Sequence, residues 1–409
     1  MNFRDNPEEA AFRADVREFI DREYKGDGND GEARGAAQAA AQGGPEAMAR
    51  YQAWMKKLAK KGWIAAAWPV EYGGAGMTIM QQFIFNEELA LARAPRPGGI
   101  GIAMAGPTII VYGTEEQKKE HLSGMLSGDV VWCQGFSEPE SGSDLASLRT
   151  SAVKDGDDYV INGQKIWTTG AQFSQRMILL ARTEPSAPKH KGISYFLLDM
   201  KSPGVSVGPL VNMAGTPGFN EVFFDNVRVP KKDLLGEENR GWYVGATTLD
   251  FERSSIGTSI AQTNAVEDLL RFVKGQSGIG NGKSGVAPTV RLEIAERAIE
   301  AEAARLMSYR VISMQNRGMV PNHEASAVKI YAAELNQRIT GTAMKVAGLY
   351  GQLNWSSKAG EDSAVQRWTP NRGRFVRGYL GAISSTIAGG TSEINRNIIA
   401  TRGLGLPRD

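Results

Sequence analysis

An α+β chain built in three successive parts, helical, then β, then helical again, is the fold class this sequence predicts, and three observations predict it. Apolar residues recur at helical spacing up to about residue 128. From Val130 the period shifts towards two, and several short strands follow one another between turn residues with no helix among them, which points to a small antiparallel barrel or sandwich rather than a parallel sheet. After about residue 240 the spacing is helical once more. At 409 residues the chain is too long for one ordinary core, and the expected parts are 1–128, 129–240 and 241–409.

Residues 8–24 predict an amphipathic helix with Phe12, Val16, Phe19 and Ile20 on one face. Residues 25–44, rich in Gly, Ala and Asp, read as an insertion or a weakly helical connection, and Pro45 suits the first turn of a second helix carrying Met48, Tyr51, Trp54, Met55 and Leu58. The glycine-rich stretch Trp68 to Met77 follows no convincing strand, so it fails the context test for a dinucleotide loop. Thr78 with Gln81, and Thr114 with Gln117, have the spacing of capping boxes and start helices. The strands expected next include Met177–Leu180, Ile193–Leu198 and Val222–Pro230, and Asn162-Gly163 is read as the turn of a hairpin. In the last part, residues 275–288 and 352–374 read as loops, and Leu292, Ile294, Ala298, Ile299, Ala303, Leu306 and Tyr309 as a buried helix face.

Composition narrows the function classes. Lys and Arg number 47 against 45 Asp and Glu, a net charge of +2, so bulk electrostatics favour neither nucleic acid nor an anionic membrane. The single cysteine, Cys133, suits a reducing compartment and reads as a small buried hydrophobe. His121, His190 and His323 lack ligand spacing, so no metal site is expected. An acidic N-terminus without an apolar core, and no apolar run of spanning length, lead to the expectation of a cytoplasmic protein.

The chemistry is concentrated in two stretches. After Val130-Val131-Trp132 the chain passes from Cys133-Gln134-Gly135-Phe136 into the turn Ser137-Glu138-Pro139-Glu140-Ser141-Gly142-Ser143-Asp144, which offers backbone N–H groups and hydroxyls to something flat and polar. Tyr159-Val160-Ile161-Asn162-Gly163-Gln164-Lys165-Ile166-Trp167-Thr168-Thr169-Gly170 comes shortly after. Together these resemble the flavin-binding signatures of the acyl-CoA dehydrogenase family, and the resemblance runs over nearly the whole chain. It implies an N-terminal helical domain, a middle antiparallel β-barrel domain and a C-terminal four-helix bundle through which subunits usually associate.

The resemblance also implies FAD as cofactor, an acyl-CoA substrate and an electron-transfer flavoprotein as acceptor. Desaturating a thioester needs a base for the Cα proton, donors for the thioester oxygen and a hydride acceptor, and no side chain accepts hydride. On the resemblance Gln134, Phe136, Ser137 and Ser143 wrap the flavin edge, with Ser143 also towards substrate. Trp167 then shields the flavin and Thr169 bonds it, and Thr391 and Glu393 lie near its outer portion. Taken alone, Trp167 is an ordinary barrel aromatic and Thr169 a turn former.

Many family members carry the base as a glutamate just before the glycine-threonine of a C-terminal turn, and here that turn is Ala388-Gly389-Gly390-Thr391. Others, similar to isovaleryl- and long-chain dehydrogenases, carry it before an arginine, as in Leu249-Asp250-Phe251-Glu252-Arg253. The paired change points to Glu252 as base, against a plain reading as a solvated helix carboxylate. Gly389 keeps a backbone N–H for the thioester oxygen, with a flavin ribityl hydroxyl as the second donor, and its missing side chain leaves room for a branched or bulky acyl chain. Asp250, Arg253 and Gly390 match positions near the substrate.

Two features depart from the family. The usual arginine and phenylalanine reaching a neighbour's flavin pyrophosphate are represented by no more than Arg271-Phe272, Arg291 and Lys283 around a glycine-rich loop. The segments 351–373 and 402–408 look like bacterial branches acting on sterol side chains and dicarboxylic acids, some of which pair two different chains. The expected assembly is a homodimer or homotetramer, with a heteromer open. Two further readings stand beside the dehydrogenase: a flavin-poor partner subunit, and an oxidase or monooxygenase on the same fold.

Overall fold

The structure, a computed structural model, describes residues 5–24, 44–250, 256–275, 287–354 and 368–407. Two compact units divide the chain, Met1–Ser254 and Ser255–Asp409. Most of the expected connections 25–44, 275–288 and 352–374 lies outside the described residues.

In the first unit, helix α1 (Pro7–Glu23) opens with a capping box: the Asn6 side chain accepts from the Glu9 N–H, and the Glu9 carboxylate accepts from the Asn6 N–H. Its buried face, Val16, Phe19 and Ile20, packs with Trp54 and Leu58 of α2 (Gly44–Lys61). Buried Glu88 of α3 (Ile79–Leu91) ties that helix to α1, accepting from Arg13 at 2.6 Å and Arg17 at 2.7 Å. The boxes expected at Thr78 and Thr114 are both formed, and they start α3 and α5 (Glu115–Leu126), with α4 (Gly106–Tyr112) between.

Eight strands follow: β1 (Trp132–Gly135), β2 (Ser151–Asp155), β3 (Asp158–Lys165), β4 (Arg176–Arg182), β5 (Ile193–Asp199), β6 (Val205–Leu210), β7 (Phe219–Pro230) and β8 (Leu234–Leu235). They form one sheet in the order β6-β7-β3-β2-β4-β5-β8, antiparallel except where β1 and a single pair of β2 run parallel to β4. Alternation sends Ile178, Leu180, Tyr195 and Leu197 into a core shared with the helices. Met177, Leu179, Phe196 and Leu198 join Tyr159, Ile161 and Val222 on the other face. Helix α6 (Gly241–Asp250) lies against β4 and β5.

Asn162-Gly163 is not a hairpin turn. The turn falls at Gly156-Asp157, and Asn162 and Gly163 lie inside the continuous strand β3. The reason is on β7, which carries one extra residue opposite this point; Asn226 there takes φ 50°, and its N–H donates to Asn162 Oδ1 at 2.8 Å. The extra residue shifts the parity of β7, so that Val222 and Phe224 are buried before it and Val227 and Val229 after it. Gly163 is required because at φ 148° a Cβ would stand 2.7 Å from Thr150 Oγ1.

Among the described residues, the α-helices of the second unit are α7 (Ile256–Gly275), α8 (Pro288–Asn316), α9 (His323–Ala347), α10 (Arg374–Ala382) and α11 (Ser392–Ile398). Helix α9 touches the other four. The buried face of α8 differs from the expected one. Ile294, Ala301, Ala304, Ser308, Val311 and Ile312 are buried, whereas Leu292, Ile299 and Leu306 are exposed by 67, 71 and 39%. A helix with apolar residues on two stripes offers the sequence no way to tell which one its neighbours cover. No helix among the described residues is long and apolar enough to cross a membrane.

Candidate active site

Strand β1 delivers the first signature stretch. Cys133 is fully buried, with burial pushing its thiol up to about 12, and Phe136 sets its ring edge-on to Tyr195 at 5.8 Å. The chain then folds back on itself, as Glu138 and Ser141 exchange two backbone hydrogen bonds of 3.0 Å around Pro139-Glu140. Ser137 is half-buried, while Gly142 and Ser143 are exposed.

The second stretch meets the first directly. The Ile166 N–H donates to the Ser137 carbonyl at 3.0 Å, so Trp167, Thr168 and Thr169 continue from the point where β3 touches the turn. Trp167 has φ 60° and is 58% exposed, its ring edge-on to Phe219 at 6.0 Å. A bulky residue at positive φ is costly and persists only where neighbours enforce it. Here the enforcement is buried Asn220: its carbonyl accepts the Thr168 N–H and its side-chain amide donates to the Thr168 carbonyl, both at 3.0 Å. The buried Thr168 Oγ1 and Asn220 Oδ1 have no hydrogen-bond partner among the described residues.

Beneath the turn lies a buried ion pair absent from the sequence reading. Lys165 is fully buried, and its ammonium donates to Glu138 Oε1 at 2.7 Å and to the Phe136 carbonyl at 3.0 Å. Glu138 also accepts from the Arg149 N–H at 2.6 Å and the Thr150 N–H at 2.9 Å. Burial pushes the Glu138 carboxyl up, but Lys165 and the two N–H groups outweigh it and hold it below the usual value. Burial lowers Lys165 to about 8, with Glu138 opposing. The available signal was an ionisable residue at an inward position of an alternating strand, after Tyr159 and Ile161.

In the second unit, Gly389 and Gly390 take φ 66° and 84°, a run of two left-handed residues for which glycine is the low-strain choice. Two donors meet on the Gly390 carbonyl, Lys329 Nζ at 2.5 Å and Asn395 Nδ2 at 2.9 Å. Thr391 caps α11, its hydroxyl accepting from the Ile394 N–H at 3.2 Å. Thr391 and Glu393 line a cavity of about 810 Å³ with Arg338, Tyr379, Ile387 and Arg396. Hydrogen bonds from its own backbone N–H and from Thr391 hold the Glu393 carboxyl below its usual pKa. Lys329, a cation on the buried face of α9, was also missed.

Glu120, His121 and Asp233 bring ligand-type atoms within 4.8 Å of one another, which spacing along the chain did not reveal because Asp233 is remote in sequence. Lys232 already sets an ammonium 3.1 Å from Glu120 and 4.0 Å from Asp233. Of the expected site residues, Gln134, Phe136, Ser137, Trp167 and Thr169 gather in the first unit, with Ser143 at the end of the same turn, and Gly389, Gly390, Thr391 and Glu393 gather in the second. Glu252, Arg253 and the Asp250 side chain lie outside the described residues.

Three family models account for almost all of the chain: acyl-CoA dehydrogenase N-terminal domain over residues 6–129, middle domain over 133–227 and C-terminal domain over 239–404. The chain belongs to the acyl-CoA dehydrogenase family. It is an oxidoreductase acting on acyl-CoA. Among curated relatives it is 36% identical over 374 residues to acyl-CoA dehydrogenase IpdE1 of Mycobacterium tuberculosis, covering 90% of this chain and 92% of that one. Among solved structures it is similar to the Tcur3481-Tcur3483 steroid ACAD, with 32% identity, a TM-score of 0.83 and all of both chains covered. It is also similar to a chain of the ChsE4-ChsE5 complex from Mycobacterium tuberculosis, with 32% identity, a TM-score of 0.80 and all of both chains covered.

Family members are flavoproteins, and the first-unit residues fit such a group. A largely exposed indole held in a strained conformation stands beside a turn rich in hydroxyls and N–H groups, which suits a flat, partly polar ring system. Two orphaned buried oxygens at the same corner add acceptor capacity.

Proposed function

We propose that this chain carries out FAD-dependent α,β-dehydrogenation of an acyl-CoA thioester with a branched or bulky acyl chain, and that its electrons leave to an electron-transfer flavoprotein. The observation that carries this reading is the junction of the two signature stretches at Ser137 and Ile166, from which Trp167 projects. The Ser137 and Thr169 hydroxyls and the turn N–H groups hold the flavin's polar edge, and Trp167 covers it from water. When bound, FAD supplies the hydride acceptor that no side chain provides.

Glu252 takes the Cα proton, and the Gly389 N–H donates to the thioester oxygen as charge develops there. Gly389 brings no carboxylate, so the base must come from another part of the chain. Ser143, Asp250, Arg253 and Gly390 contact the substrate. Sterol-derived acyl chains are the first class to try, since one similar solved structure is named a steroid ACAD.

The test is Glu252→Gln in the full chain. The variant is expected to keep its flavin and lose bleaching by acyl-CoA by roughly 10²–10⁴-fold, the usual size of a general-base effect. Wild-type turnover in that variant overturns the assignment. A panel of short, branched, long and sterol-derived thioesters, scored by bleaching, identifies the acyl class.

A second reading is favoured by the similarity to a complex named for two components, ChsE4-ChsE5: this chain works as one subunit of a heteromer. A chain that purifies yellow and bleaches anaerobically by itself rules out a flavin-poor partner role. Rapid recolouring in air with release of peroxide would make the enzyme an oxidase instead.

A further inference from the structure

We infer that Lys165 is a positioning residue for the flavin-facing turn, acting through the carboxylate of Glu138 and the carbonyl of Phe136; the inference rests on the flavin reading of that turn. Residues 136–144 leave the sheet after β1, and their return is closed by the two Glu138–Ser141 hydrogen bonds. A turn closed on itself is still free to swing as a unit. Three links fix its swing against β3: the Ile166 N–H on the Ser137 carbonyl, and the Lys165 ammonium on the residues either side of Ser137. Both of those residues are buried, and the lysine is wholly so, which makes its bonds short of competition from water.

The same ammonium stands two residues before Trp167. One cation therefore sets the spacing between the Ser137 hydroxyl and the indole, the two groups assigned to the edge and the face of one ring system. Glu138 extends the tie further, since the Arg149 and Thr150 N–H groups it accepts belong to the far end of the loop, just before β2. Arg182, which donates to the Ala146 and Leu148 carbonyls, holds the stretch between. Lys165 is wholly buried and works through the turn.

Replacing one partner leaves the other charge buried and unpaired, so Lys165→Met alone is expected to misfold or to lose much stability. The decisive protein is the double variant Lys165→Met/Glu138→Gln, which removes both charges and keeps nearly the same volume. It is compared with wild type by circular dichroism and thermal unfolding, by hydrogen exchange of the amides at 137–143 and 166–169, and by the dissociation constant for FAD. The expected result is a folded double variant, its melting temperature lowered by a few degrees because the glutamine amide faces one of the two backbone N–H groups, with faster exchange confined to those two stretches and FAD bound about tenfold or more weakly. A purely structural role would move the melting temperature and leave local exchange and flavin affinity alone. Wild-type exchange and flavin affinity in the folded double variant overturn the inference. Should the wild-type chain take up no flavin, the proposed function fails instead, and unaltered exchange in the variant would then reject the positioning role separately.

Discussion

His121 is a neutral histidine by virtue of where α5 puts it. Its ring stands edge-on to Trp132 at 5.4 Å, it is 4% exposed, and burial pushes its pKa from 6.5 to about 4. Glu120 opposes that shift, and Arg176 and Lys232 reinforce it. Between pH 6.5 and 4 the unfolded chain therefore holds the extra proton and the folded chain does not, so stability falls as the pH falls through this window. His121→Phe is expected to flatten that slope, with up to roughly 3 kcal/mol of acid sensitivity at stake. Thermal unfolding from pH 7 to pH 4 in both proteins reads it directly, and parallel curves would show the ring is not held neutral.

Among the elements, α5 shows how one side chain joins local and tertiary structure. Gln117 Oε1 accepts the Thr114 N–H and completes the capping box, while its amide donates to the Lys232 and Leu234 carbonyls at 2.7 and 2.8 Å. Losing the cap by Thr114→Ala should cost about 1 kcal/mol. Gln117→Ala also removes both hydrogen bonds to the Lys232 and Leu234 carbonyls, and should cost roughly 2–3 kcal/mol. Equal losses in urea unfolding would mean the tie to β8 contributes nothing. The box was readable from Thr114 and Gln117 because they stand three positions apart; the second duty was not, because its partners lie over a hundred residues away. Asn162-Gly163 shows the same limit from the other side, since a strong turn signal was overruled by a bulge in the strand beside it.

For the molecule as a whole, Leu292, Ile299 and Leu306 form an exposed stripe on α8 at seven-residue spacing, the seam expected where a helix meets a second helix. Ile299 is 71% exposed, so Ile299→Glu should change stability by no more than about 0.5 kcal/mol, as surface substitutions usually do. A loss of several kcal/mol in urea unfolding would mean that the stripe is packed rather than open.

What the amino-acid order determined by itself was most of what is written at short range. Helix and strand periods, the caps at Thr78 and Thr114, and the two signature stretches all depend on residues a few positions apart. The family and the order helical, β, helical followed from these. Tertiary structure alone decided which stripe of α8 is buried, that Asn162-Gly163 lies within a strand, and that Lys165 reaches under the turn to Glu138. Each of these depends on a partner distant in the chain, and burial is a property of what comes to lie alongside.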